Sequence, residues 1–144
     1  MPENIFDKIM EEHDELEEMI DALATEGKQG DDFEEFKTEL KAHLEAEEQS
    51  LFKELKNQKE AKELALVAIE EHHIAEKVLD KLDGSSNKQG EEFKVQANVL
   101  KHLLKKHHEV EETEVIPTAK KILSKSVVDE LSEQFESIEE KIEG

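Results

Sequence analysis

A chain of 144 residues suits one domain with one core, and 39 acidic against 19 basic residues leave a net charge of −20. That balance argues against nucleic acid and anionic membranes as partners, since both are gripped by basic patches. The absence of cysteine excludes disulfides, thiolate metal sites and a Cys nucleophile.

High charge with 4% aromatics is also a signature of disorder, but the apolar residues recur at helical spacing. The first predicted helix covers about 3–25, with Ile5, Ile9, Leu16, Ile20 and Leu23 on a 3.6-residue period. Gly27 and Gly30 bracket a turn. The second helix starts at Asp31–Asp32, acids suited to the positive end of the helix dipole, and runs to about Asn57. Phe33, Phe36, Leu40, Leu44 and Leu51 form its stripe. The third covers about 59–83 on Leu64, Ala65, Ala68, Ile69, Ala75, Leu79 and Leu82, and a loop follows at Asp83–Asn87. The fourth runs from about 90 to 116, where Pro117 kinks or ends it. A last helix, about 126–142, carries Val128, Leu131, Phe135, Ile138 and Ile142.

No segment alternates like a strand. Four long helices with short turns predict an all-α fold, an antiparallel up-down-up-down four-helix bundle over 1–120. Residues 121–144 add an amphipathic C-terminal helix, read as packing on the bundle or forming a homodimer or protein-partner contact. The opening MPENIFDKIMEEH lacks the basic start and apolar stretch of a leader, and no run of about 18 apolar residues occurs. The expectation is a cytoplasmic protein.

The halves repeat. Ile9-Met10-Glu11-Glu12-His13 aligns with Ala68-Ile69-Glu70-Glu71-His72, and His43-Leu44-Glu45-Ala46-Glu47-Glu48 with His107-His108-Glu109-Val110-Glu111-Glu112. These polar residues interrupt the apolar stripes. His13 falls on 5–9–13–16–20–23, and His43 and Glu47 on 33–36–40–43–47–51. His72 falls on 65–68–72–75–79–82, and His107 and Glu111 on 93–97–100–104–107–111–115. Each His–Glu pair is four apart and shares a helix face. All lie near mid-helix, so in a bundle they meet at one level.

Burying such groups uncompensated costs several kcal/mol for each ion. Two carboxylates and four imidazoles suit a dinuclear first-row transition-metal centre with room for a small ligand. Mg²⁺ or Ca²⁺ would not call for four imidazoles.

With Glu-Glu-His at 11–13 and 70–72, HLEAEEQSLF at 43–52 and HHEVEETEVIP at 107–117, the chain resembles the hemerythrin-like (HHE cation-binding) family over roughly residues 3–118. The resemblance implies a non-haem diiron centre with an oxo or hydroxo bridge. It makes His13, His43, His72 and His107 iron ligands and Glu47 and Glu111 bridging carboxylates. Oxygen carriers of the family have a second His one turn after the third-helix ligand, and here that position is Glu76. Their last carboxylate is usually an Asp five residues after the His, whereas Glu111 is four after His107. Both features look like the broader group. Glu76 is a candidate seventh ligand or a solvated boundary residue; as a ligand it would favour the ferric state.

His73 is expected on the surface and His102 partly exposed. Of the adjacent pair, the resemblance implies His107 rather than His108, since the family counts ten residues from the ligand to the position of Pro117. Glu48 and Glu112 are either surface acids or acceptors for the outer nitrogens of ligand imidazoles. A ferritin-like site would need Glu-x-x-His on two helices, and a zinc protease His-Glu-x-x-His, which is absent. The expected function is a diiron-binding module for O₂, NO or peroxide, in sensing, iron or oxygen handling, or oxidative-stress defence. The alternative is a diiron enzyme that decomposes peroxide or repairs iron centres.

Overall fold

A computed structural model describes residues 3–26 and 30–144. It is helical throughout, with no strand among the described residues. Four long rods, α1 (Ile5–Glu26), α2 (Gly30–Gln49), α4 (Lys62–Asp83) and α5 (Glu91–Val110), make the bundle. A short α3 (Leu51–Leu55) follows α2. A π-helical turn (Glu111–Val115), α6 (Ile116–Ile122) and α7 (Lys125–Glu143) follow α5. The turn predicted between Gly27 and Gly30 lies outside the described residues. No helix among the described residues is long and apolar enough to cross a membrane.

Local chemistry sets several boundaries. Asn4 Oδ1 accepts from the Asp7 N–H at 3.0 Å while Asp7 Oδ2 accepts from the Asn4 N–H at 3.4 Å, a reciprocal cap that starts α1. Ser124 Oγ accepts from the Val127 N–H at 3.2 Å and starts α7. The second predicted helix is not continuous. It breaks at Ser50, a buried residue with φ −117 and ψ −85 whose hydroxyl donates to the Ala46 carbonyl at 2.5 Å. Such back-bonding bends helices.

Pro117 does not end the fourth rod. Without an N–H, Pro117 leaves the carbonyl four residues earlier unbonded and crowds it. The backbone widens just before it, the Ile116 N–H reaching the Glu111 carbonyl, and helix resumes through Ile122.

The core has two apolar clusters. One gathers Ile5, Phe6, Ile9, Phe52, Leu55, Val115, Ile116 and Phe135 at one end. The other gathers Leu16, Ile20, Phe33, Phe36, Leu44, Leu79, Phe93 and Leu104 at the opposite end. All six Phe are buried, each such side chain stabilising by about 1.5–3 kcal/mol. The clusters hold the rods at both ends of a polar layer at mid-height. α7 lies along α2 and also touches α1, where the Ile5 N–H donates to Ser132 Oγ at 2.8 Å.

Candidate metal centre

The polar layer contains His13, His43, Glu47, His72, His107, His108 and Glu111, all buried. Every ring turns its Nδ1 outward onto a glutamate of another helix. His13 meets Glu112 at 2.8 Å, His43 meets Glu12 at 2.8 Å, and His72 meets Glu48 at 2.8 Å. His107 meets Glu71 at 2.7 Å and His108 meets Glu17 at 2.7 Å. An ionised carboxylate only accepts, so each Nδ1 carries a proton, and each Nε2 offers a lone pair inward once it is itself unprotonated. Metal-ligating imidazoles are held in this way.

The inward atoms converge on the two carboxylates. Glu47 Oε1 lies 3.4 Å from His43 Nε2 and 3.2 Å from His72 Nε2. Glu111 Oε1 lies 3.1 Å from His13 Nε2, and its Oε2 lies 2.8 Å from His107 Nε2. His72 and His107 bring their Nε2 atoms to 3.0 Å. Two overlapping clusters of donor atoms result, each within 4.8 Å: His13, His43, Glu47 and Glu111, and Glu47, His72, His107 and Glu111. A further cluster joins His108 to His13 and His43. The Nε2 atoms of His13, His43 and His108 and all four carboxylate oxygens of Glu47 and Glu111 are buried without a hydrogen-bond partner. In a dry core so many inward donor atoms are compensated by protons held between imidazole and carboxylate or by a bound cation. The set contains only nitrogen and oxygen, which suits a first-row transition ion.

A profile of the hemerythrin HHE cation binding domain matches residues 4–119. The chain belongs to the hemerythrin HHE cation-binding family. No curated protein and no solved structure matches it. Membership implies cation binding, and the buried histidines and glutamates of this layer fit a metal site.

The electrostatics of this hemerythrin-like layer follow from burial set against charge. Burial lowers His13, but the Glu111 and Glu47 carboxylates outweigh it and raise the ring to about 9. His107 is likewise lowered by burial and raised, through Glu111 and Glu71, to about 10. His43 and His72 are raised by the same competition. Burial pushes Glu47 up, yet the positive charge on His43 and its other inward partners hold it well below the carboxylate range. His108 is the exception. Burial and the charges on His13, His43 and His107 drive it far down, so it is neutral. Its ring stacks on His13, centroids 3.7 Å apart and planes 7° apart.

His13, His43, Glu47, His72, His107 and Glu111 thus come together in the donor clusters. Glu76 is in none of them. It is half-buried, and burial followed by the negative charge of Glu48 raises its carboxyl. His73 and His102 are exposed. Glu48 and Glu112 serve as acceptors for ring nitrogens.

His107 lies in a donor cluster, and His108, set aside in its favour, is buried in the layer as well and clusters with His13 and His43. Both lie in the last turn of α5, ahead of the π-turn, three and four residues after Leu104, and helical positions three and four apart share a face. The doubled His was the available signal. Glu12, Glu17 and Glu71 were also missed as acceptors, and the repeated Glu-before-His at 12 and 71 was their only trace.

Proposed function

We propose that the protein is a non-haem diiron module that binds or reacts with a small oxidant such as O₂, NO or peroxide. The observation that carries the reading is the division of donors around the two shared carboxylates. His13, His43 and His108 lie on one side, and His72 and His107 on the other. Glu47 and Glu111 belong to both donor clusters, as expected of carboxylates bridging two ions. Iron bound there would supply one-electron chemistry and a site for a small ligand.

The chain's own residues do the rest. The five outer glutamates fix the ring tautomers and aim the lone pairs. A cavity of about 300 Å³ reaches His107 and Glu111 on the two-imidazole side, its wall mixing Leu64, Val67, Ala68 and Val110 with Lys59, Glu60, Glu63 and Glu71.

Elemental analysis of protein from iron-replete cells, with its optical spectrum, tests the reading. The expected result is two irons per chain and the absorption of a bridged ferric pair. That absorption should change with O₂, peroxide or NO. Less than one iron per chain, or a spectrum indifferent to all three, would overturn it. Sustained peroxide turnover would mark an enzyme, and stoichiometric binding a carrier or sensor.

A further inference from the structure

The C-terminal helix lies beyond the family match at 4–119, yet it reaches the metal layer. Phe135 of α7 sets its ring edgewise to His43, centroids 6.1 Å apart. One turn later Glu139, buried at 7% exposure, brings its carboxyl within 4.8 Å of the Glu12 carboxyl. Glu12 in turn accepts from His43 Nδ1 at 2.8 Å. The polar atoms of Glu12, His43 and Glu139 all lie within 4.8 Å of one another.

Two buried carboxyl groups this close are compatible when one proton is shared between them, so that one donates to the other.

The repeat supplies an internal control. Glu71 and His107 are the counterparts of Glu12 and His43. Among the described residues no carboxyl clusters with Glu71 and His107 from outside the layer, and the Glu71 side chain is 37% exposed against 14% for Glu12 and lines the cavity. Only one of the two equivalent Glu–His pairs is locked beneath a fifth helix.

We propose that Glu139 is a positioning residue: from α7 it fixes Glu12, and through Glu12 the His43 ring, so that the three-imidazole side grips its metal more firmly than the two-imidazole side. The proposal rests on the diiron reading above. It also has a readout that does not require iron.

The test uses the full chain as wild type, Glu139→Gln and Glu139→Leu. Gln keeps a donor towards Glu12, whereas Leu fills similar space without one. In the metal-free protein, solvent exchange of the His43 Nδ1 proton is followed by ¹H–¹⁵N NMR. Leu should speed that exchange by about tenfold, and Gln should stay within about twofold of wild type. In ferrous-loaded protein, a chelator should strip the slower-released iron about tenfold faster from the Leu variant alone.

Equal exchange and release in all three proteins would overturn the proposal, as would a Gln variant that behaves like Leu. Should Glu139→Leu lose helical ellipticity, Glu139→Ala takes its place under the same criteria. Failure of wild type to take up iron would count against the diiron reading, and NMR exchange would still decide the role of Glu139.

Discussion

The two sides of the metal layer are built from one repeated plan and then made unequal. Glu12 to His43 is matched by Glu71 to His107, and Glu112 to His13 by Glu48 to His72. The plan breaks at one pair. Where α5 places His108 against Glu17, the corresponding positions are Leu44 and Glu76. Leu44 is buried in the apolar cluster, so Glu76 has no imidazole to accept from. A leucine in place of a histidine leaves one side a donor short, and it is this side that the cavity reaches. The difference teaches that a repeated hairpin acquires unequal donor sets through very few changes, here one residue and a capping helix.

The largest break in this comparison should come from a carboxylate shared by both sides. Glu111→Ala is expected to weaken metal binding by more than about a hundredfold and to lower the content at both positions. Elemental analysis showing two ions retained would remove Glu111 from its bridging place.

His108→Leu makes the layer more symmetrical. It should cost about a hundredfold in affinity at the three-imidazole side while the other side still loads. Competition with a chelator measures this, and an unchanged affinity would make His108 a packing residue.

The metal-free chain should show a pH dependence set by the raised imidazoles. His13 and His107 rise from 6.5 to about 9 and about 10 in the folded state. A raised folded value means that their contribution is complete below 6.5 and is lost as pH climbs through 9 to 10. For His13 alone the loss is on the order of 3 kcal/mol. Urea denaturation should therefore give a weaker metal-free protein at pH 10 than at pH 6.5. Metal uptake should move the other way, because ligand imidazoles must be unprotonated. A flat stability profile would mean that the carboxylates do not hold these protons.

Val67→Phe narrows the cavity on the two-imidazole side only. Ligand association should slow by about tenfold, a barrier increase of about 1.4 kcal/mol, with the resting spectrum unchanged. Stopped-flow rates equal to wild type would place the access route elsewhere. The smallest effect is expected from Glu76→Ala, which should retain two ions per chain, since Glu76 belongs to no donor cluster. A drop in metal content would put it back among the ligands.

Much of this was legible from residue spacing. The four rods and the inward turn of His13, His43, His72 and His107 follow from apolar residues three and four apart. Glu47 and Glu111 are placed by the same rule, one turn after their histidines. The bend at Ser50 was not legible, because a serine within a helical run usually points outward. His108 was hidden because a regular helix puts it about 100° from His107, yet the two stand three and four residues after Leu104 and both face inward. α7 announced its apolar stripe but not the helix it would lie against.

What the chain determined by itself was periodic: which segments coil, which face of each is apolar, and where polar residues interrupt that face. These depend on neighbours within a turn or two. Only the folded molecule decided which carboxylate serves which ring. Those pairs lie 24, 31, 36, 91 and 99 residues apart. Their hydrogen bonds form only once packing at both ends of the bundle brings different helices to one level, a relation that no local pattern encodes.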